Sequence, residues 1–509
     1  MIFEVIKREF IDHISSLRFA LTVLVLSALM VTNAVVHLGS HSERVRDYTE
    51  KVTNSVADLK SRETLYRLAQ KGPVPLYKRP SSLNFIADGG ASFLPDEIVE
   101  KQTWVKNVLG VELHNNWWLS YAPLRRSSAD LRPKAPKIDW AFIVTYLLSF
   151  IPLLFTFDSL AGERERGTLR LCLANSISRP CLLLGKFLAA FIATAIPFIF
   201  AVLINLAIIS GDSWTQLGAA DWGRLGLVML IAFCYAGIFI AIGLLVSARS
   251  QDSGVSLVML LLIWMVVVAF MPSTLGSLST KWMDPVETAQ QYEARVQASV
   301  EQIDTDFRNR LAAIKEKRLE ESNFFNRLME LAKTSPEKAQ ELAMSAYDTV
   351  NAEVDDEELY LISKYVQKDV EIRERLSREH LTAQITQVQR ARILTRCSPA
   401  SIVQYALESM AGTGLNRHLQ FLEHVNRYAK VFRQFIVETD RSDSESLHLI
   451  GTREGMSKKP VSPSMLPIFE DSIRFQDTLN TAMTDIVLLL LLFGIFLSMA
   501  FLVFLRTAV

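Results

Sequence analysis

Six long apolar runs without charged side chains constrain this chain more than any other feature. No Asp, Glu, Lys or Arg occurs in residues 19–38, 140–157, 187–209, 225–246, 255–271 and 486–505. A helix needs roughly 20 apolar residues to cross the hydrocarbon core of a bilayer, and buried helices of soluble proteins seldom stay uncharged for that length. The runs therefore predict a mainly α, polytopic membrane protein with six transmembrane helices.

The first run has a second interpretation, a cleaved signal peptide, because it lies near the amino end of the sequence. Residues 1–18 argue against that interpretation, since their apolar residues recur at helical spacing: Phe3, Ile6, Phe10, Ile14 and Leu17. Such a pattern is typical of an amphipathic helix that lies in the membrane interface. We therefore expect an interfacial helix over residues 1–18, followed by the first span.

Basic residues in the short loops predict how the chain is oriented in the membrane, because cytoplasmic loops are enriched in Lys and Arg. The basic residues beside the spans are Lys7, Arg8, Arg18, Arg164, Arg166, Arg170, Arg179, Lys186, Arg249 and Arg506. All of them fall on one side if six spans alternate, whereas the short loop on the other side, residues 210–224, has only one basic residue, Arg224. We therefore expect a multi-pass membrane protein with both termini in the cytoplasm. A location in the inner (plasma) membrane of a bacterial cell is a separate expectation.

Two long segments are then expected outside the cytoplasm. Residues 272–485 carry apolar stripes at helical spacing, such as Leu415, Leu422 and Val425, which predict a large helical domain. Either an antiparallel bundle or an intermolecular coiled coil would use such stripes. Residues 39–139 are punctuated by Gly and Pro and predict a smaller mixed domain. A cytoplasmic loop is expected over residues 158–186.

The sequence offers no catalytic or metal-binding constellation. It contains no phosphate-cradling G-x-x-x-x-G-K-[ST] loop, no H-E-x-x-H and no G-x-S-x-G motif. The four cysteines fit no zinc spacing; Cys397 is expected to be buried in the outer bundle without a disulfide partner. His418 and His424 are expected on the surface. The net charge of zero argues against nucleic-acid binding.

The loop after the second run carries an unusual charge pattern. It reads Glu163-Arg164-Glu165-Arg166-Gly167-Thr168, followed by Leu169. A membrane anchor needs only basic residues, whereas alternating signs suit a charged partner surface. The alternatives are a simple positive-inside anchor or a docking element.

This stretch, with the interfacial helix, the six spans and the following Ser178-Arg179 and Gly185-Lys186, resembles an ABC-2-type transporter permease. Residues 79–89, 398–401 and 411–414 resemble a subgroup with a large extracytoplasmic domain between spans five and six.

The resemblance implies a permease subunit that is not itself an enzyme and holds no cofactor, because ATP is bound by a separate cytoplasmic ATPase. It implies that Glu163, Arg164, Glu165, Arg166, Gly167 and Thr168 couple to that ATPase. It also implies a second permease copy or a paralogue, contacts with membrane lipid, and export or an extracytoplasmic conformational change. An extracytoplasmic protein partner is a further expectation.

Two alternatives stay open from the sequence. One is a membrane sensor or receptor with a helical outer domain, and the other is a force-transmitting scaffold. The substrate is not indicated, although the few polar residues within the spans, mainly Thr194, Asn205 and Ser498, favour an amphiphile over an ion.

Overall fold

The computed structural model describes residues 2–90, 94–106, 113–121, 138–169, 178–212, 217–281, 285–321, 324–340 and 356–506. Six of its helices are long and apolar enough to cross a membrane. They are α2 (Leu17–Lys60), α4 (residues 140–156), α6 (Arg179–Ser210), α7 (Ala219–Arg249), α8 (residues 253–281) and α14 (Phe475–Arg506), which we call spans 1 to 6. Each apolar run of the sequence lies within one of them, apart from Phe157, which directly follows α4. The mainly α, polytopic fold is confirmed.

Two spans contain a π-helical turn. Helix α4 consists of Trp140–Phe142, the π turn Ile143–Leu147 and Leu148–Thr156. Helix α8 consists of Ser253–Trp264, the π turn Met265–Phe270 and Met271–Lys281. A π turn displaces backbone carbonyls from the regular helical ladder. The carbonyl of Val267 accepts a hydrogen bond from Ser398 Oγ (2.6 Å).

The remaining helices of the described chain are shorter or lie outside the spans. Helix α1 (Ile2–Ile14) precedes span 1, α3 (Leu65–Lys71) follows it, and α5 (Ala161–Glu165) follows span 2. Between spans 5 and 6 lie α9 (Ala289–Glu321), α10 (Phe324–Thr334), α11 (Asp356–Thr395), α12 (Pro399–Ala411) and α13 (Gly414–Arg441). Strands β1 (Leu76–Tyr77), β2 (Glu97–Lys106) and β3 (Leu113–Ser120) form an antiparallel sheet in that order.

The helical domain between spans 5 and 6 contains an antiparallel pair within one chain. Phe307 and Leu311 of α9 pack against Ile362 and Val366 of α11. Arg295 pairs with Glu379 (3.4 Å), whereas Arg318, farther along α9, pairs with Glu358, earlier in α11 (3.5 Å). The apolar stripe of α9 is therefore covered by an intrachain bundle.

The sequence suggested two separate domains over residues 39–139 and 272–485, and the structure corrects this. Leu65, Leu76 and Trp117 of the first segment share one hydrophobic core with Phe421 and Phe432 of α13. The two segments therefore form a single mixed domain, which we call the large domain. Their pairing depends on contacts between residues about 300 positions apart, which a local pattern does not reveal.

Helix α12 was expected in the water-soluble domain but packs against the spans. Its apolar residues, including Val403, Leu407 and Met410, belong to the same buried core as spans 2, 4 and 6. Ser398 caps the helix by accepting a hydrogen bond from Ala400 N (3.2 Å), and Pro399 occupies its first turn. Arg396, just before α12, pairs with the fully buried Asp485 of span 6 (2.6 Å). The domain is thus fixed to the membrane bundle.

Polar side chains within the spans hold helices together. Asn205 Nδ2 of span 3 donates to Met30 O (2.6 Å) and Asn33 Oδ1 (2.9 Å) of span 1. Trp140 Nε1 of span 2 donates to Asn205 Oδ1 (3.2 Å). Thr194, by contrast, bonds within its own helix, where its Oγ1 donates to Ala190 O (2.9 Å). Each of these buried polar side chains thus has a hydrogen-bond partner, as apolar surroundings require.

Candidate functional site

The charged stretch after span 2 folds into the five-residue helix α5, which lies against the end of span 4. Ser247 Oγ of span 4 accepts hydrogen bonds from Leu160 N (3.0 Å) and Ala161 N (2.9 Å), and donates to Phe157 O (3.0 Å). Leu160, directly before α5, and Leu169, four residues after it, are both buried. One hydroxyl thus ties the entry of α5 to span 4.

Lys186, at the start of span 3, connects three elements. Its side chain is only 1% exposed, and its Nζ donates to Glu163 Oε1 of α5 (2.8 Å) and to Glu9 Oε1 of α1 (2.7 Å). A buried ammonium needs opposite charge and hydrogen-bond acceptors, and two carboxylates supply both. We call Glu9, Glu163 and Lys186 the lysine node.

Arg164 and Glu165 fix α5 to the ends of two further spans. Arg164 donates to Ala248 O (2.9 Å) and Ser250 O (2.7 Å), where span 4 ends. Glu165 Oε2 accepts from Ser253 N (3.2 Å) and Ser253 Oγ (2.7 Å), where span 5 begins. A cation at a helix carboxyl end and a carboxylate at a helix amino end both match the helix dipole.

The last turn of the element faces outward. Arg166, Gly167 and Thr168 are exposed, as is Glu165. Gly167 adopts a left-handed conformation (φ 73°), as expected for the residue that ends the helix, and no heavy atom lies within 4 Å of the Cβ it would carry. We call Glu165–Thr168 the exposed tip. The rest of the expected coupling loop, residues 170–177, lies outside the described residues.

The six residues expected to couple to an ATPase fall into two groups, those bound to other parts of this chain and those exposed at the tip. Glu163 and Arg164 are bound within the chain, and Glu165 both caps span 5 and remains exposed. Arg166 Nε donates to Gly162 O (3.0 Å), and Thr168 Oγ1 donates to Glu163 O (3.1 Å). Direct pairing with an ATPase would need a free carboxylate on Glu163, whereas that carboxylate faces Lys186. The coupling role itself stays a prediction.

Sequence reasoning missed the partners of this element. Lys186 entered the sequence analysis as a basic residue beside span 3 and as part of the family resemblance, but not as a partner of α5, although it immediately precedes an uncharged run of 23 residues, residues 187–209. A charge at that position must find partners when helices pack around it. Glu9, Ser247 and Ser253 gave no local signal, because their contacts depend on the packing of separate helices.

Two other expectations are wrong. Cys397 was expected to be buried but is exposed, because it lies in the turn between α11 and α12. His418 was expected on the surface but is 1% exposed. Burial, together with the nearby charges of Lys78 and Arg417, lowers the pKa of His418 to about 3. His424 is partly buried, with Nδ1 at 2.9 Å from Asp471 Oδ1.

Among the described residues, no group of three or more His, Cys, Asp or Glu side chains is arranged to hold a metal ion. Cys181, Cys234 and Cys397 are free thiols.

Comparison with known proteins places the chain in a family. The family model described as "ABC-2 family transporter protein" matches residues 3–509. The probable ABC transporter permease protein NosY of Pseudomonas aeruginosa is 36% identical over 115 residues, which are 22% of this chain and 40% of that protein. NosY of Stutzerimonas stutzeri is 30% identical over 132 residues, which are 25% of this chain and 46% of that protein.

The aligned regions thus span less than half the length of these two relatives, whereas the family match spans almost all of this chain. The chain belongs to the ABC-2 family of transporter proteins.

Proposed function

We propose that this protein is the permease subunit of an ABC transporter and that a separate ATPase docks on its exposed tip, Glu165–Thr168. The tip carries charges of both signs beside a glycine turn. Charges of both signs can pair with a complementary protein surface and fix its register. ATP is hydrolysed in the partner, and this chain transmits the resulting motion.

One observation carries the proposal: α5, the helix that bears the tip, is bound simultaneously to α1 and to three spans. The lysine node joins α5 to α1 and span 3, Arg164 joins it to span 4, and Glu165 joins it to span 5. A displacement of the tip is therefore delivered to these elements together. Transport needs such a switch between two packed arrangements.

In the proposed orientation the tip, both termini and α1 are cytoplasmic, and the large domain is extracytoplasmic. The membrane is the inner membrane of a bacterial cell. Arg396–Asp485 and Ser398–Val267 join the domain to spans 6 and 5, so motion of the spans reaches the domain. The result is export of a substrate or a conformational change of the domain.

The complex contains a second permease copy or a paralogue. Spans 5 and 6 support this part of the proposal, because they present large exposed apolar side chains such as Leu262, Phe270 and Leu491. A second permease covers part of this exposed apolar surface, and membrane lipid covers the remainder.

The test separates docking from transmission. Arg166→Glu and Gly167→Val change the tip, Glu163→Gln changes the lysine node, and Arg249→Gln changes an exposed arginine near the same end of span 4. Each tagged variant is purified from its native membrane, and the co-purified protein is labelled with photoreactive ATP.

The tip variants are expected to lose the labelled ATPase while still inserting into the membrane. Glu163→Gln is expected to keep the ATPase but to uncouple ATP hydrolysis in nanodiscs from conformational change, and Arg249→Gln is expected to behave as wild type. Wild-type recovery of the ATPase by both tip variants would refute the docking assignment.

A further inference from the structure

The stretches 79–89 and 411–414, which the proposed function does not use, meet in the large domain. Ser81 Oγ donates to Ala411 O, and Gly89 contacts the backbone of Gly414. Both glycines adopt left-handed conformations (φ 59° and 73°), where L side chains are strained. Beside this contact lies a cavity of about 260 Å³, which we call the arginine pocket.

Positive charge exceeds negative charge around this pocket. Its lining includes five basic and three acidic side chains: Arg44, Lys51, Lys78, Arg79, Arg417, Asp47, Asp96 and Glu97. Lys51 pairs with Asp47 (2.8 Å), and Lys78 pairs with Asp96 (2.6 Å). Three arginines remain, near two carboxylates: Glu97, which is exposed at the pocket, and Asp471, which pairs with Arg417 from behind the lining. One positive charge is therefore left over.

Arg417 has unused hydrogen-bond donors. Its side chain is 3% exposed and pairs with Asp471, which also accepts from Arg79 N (2.8 Å). Its Nε and Nη1 are buried and have no hydrogen-bond partner among the described residues. A buried guanidinium with two unsatisfied donors is costly unless an acceptor binds there.

The amino end of α13 opens on the same pocket. Helix α13 is 28 residues long and begins at Gly414, which lines the pocket with Gly412 and Thr413. Thr413 Oγ1 donates to Glu408 O (3.2 Å) and does not cap the helix. The amino end of a long helix carries about half a positive charge and exposes N–H donors, which favour an anion.

We propose that the arginine pocket binds a phosphate group. A phosphomonoester carries a charge of about −1.5 to −2 at neutral pH, so the excess positive charge around the pocket attracts it. The planar fork of Arg417 and the amino end of α13 both suit phosphate oxygens. Arg79 is exposed at the pocket and closes the phosphate from the solvent side.

The phosphate can belong to a lipid headgroup or to a soluble molecule. Arg44 lies on α2 only six residues after the apolar run ends at Leu38, a distance of about 9 Å along a helix. Gly412 lies beside Ile473, just before span 6. The pocket is therefore close to the level of lipid headgroups, yet it lies in the large domain.

The test uses the full chain in phosphate-free detergent, titrated with inorganic phosphate against sodium chloride at matched ionic strength. Arg79→Gln removes an exposed guanidinium while leaving the main-chain bond to Asp471 intact. Arg417→Lys keeps the charge but loses the fork. Arg67→Gln, on exposed Arg67 of α3, is the matched control. Calorimetry measures affinity, and tryptophan fluorescence confirms that each variant is folded.

A parallel titration uses nanodiscs of phosphatidylcholine with and without phosphatidic acid. Wild type and Arg67→Gln are expected to bind one phosphate group saturably, and Arg79→Gln about ten- to hundred-fold more weakly, the range for one lost charge-assisted hydrogen bond. Binding of inorganic phosphate indicates a soluble source, and binding of phosphatidic acid alone indicates a headgroup. The absence of saturable binding to either probe, or equal affinity in Arg79→Gln, would overturn the proposal.

Discussion

The lysine node predicts that a single carboxylate controls how firmly α5 is held. Glu163→Gln keeps the size of the side chain and one oxygen acceptor but removes the negative charge that faces Lys186 Nζ at 2.8 Å. Lys186 is 1% exposed and retains Glu9 at 2.7 Å, so the node is weakened but not abolished.

The magnitude follows from the two bonds that Lys186 makes. After the substitution the Lys186 ammonium still donates a charge-assisted hydrogen bond, but it loses its attraction to one of two carboxylates. Removing one partner of a buried ion pair costs about 3–5 kcal/mol; because Glu9 still pairs with Lys186, we expect a smaller cost of about 1–2 kcal/mol. Glu163 is 18% exposed, and little of this difference is lost to solvent screening. Local opening of α5 should therefore become about 5–30-fold more frequent.

Hydrogen exchange measures this opening directly. The amides of Gly162, Arg164 and Arg166, which bond within α5 and its flanking turn, should exchange about 5–30-fold faster in Glu163→Gln than in wild type. Glu4→Gln, an exposed carboxylate on α1, is the matched control and should leave these rates unchanged. Unchanged exchange in Glu163→Gln would refute the reasoning that the node holds the helix.

Three further predictions concern the large domain and its junction with the spans. Cys397 should react with a membrane-impermeant maleimide on spheroplasts, and labelling only after membrane disruption would contradict the proposed orientation. Gly89→Ala should lower the free energy of unfolding by roughly 2–5 kcal/mol, because the new Cβ would clash with the backbone of Gly414. Gly167→Ala has the same left-handed backbone but open space around the new Cβ, so it should lower that free energy by only about 1–2 kcal/mol. Burial raises the pKa of Asp139 from 3.8 to about 6, so its contribution to stability is fully present below about pH 4 and is lost as the pH rises through 6. Thermal unfolding of Asp139→Asn should lack that loss, and an unchanged pH profile would contradict it.

The sequence predicted the membrane architecture well because its signals are local. An uncharged run of about 20 residues has few alternatives to a membrane span, and the apolar stripes of α9 and α13 identified helices that do bury those faces. Ser398 before Pro399 is a local signal of the same kind: a capping residue followed by proline is typical of a helix start, and α12 begins there.

The parts that sequence reasoning missed depend on long-range packing. Helix α12 is more apolar than its neighbours, with Glu408 its single charged residue, but at 13 residues it is too short to predict a span, and its contact with spans 2, 4 and 6 depends on packing. Lys186, the partner of Glu163, is 23 residues away in the sequence, and Glu9, the third member of the lysine node, is 154 residues away. A charged loop predicts a polar surface, but it does not reveal which charges face the protein's own helices and which face outward.

The most direct test of the central claim is photo-crosslinking from the exposed tip. Benzoylphenylalanine is placed at Thr168, at Arg166 and, as a control, at exposed Tyr360 of the large domain, in the assembled complex. We predict an ultraviolet-dependent adduct between the permease and an ATP-binding protein from Thr168 and Arg166, and none from Tyr360. A complex that hydrolyses ATP but gives no such adduct from either tip position would contradict the account.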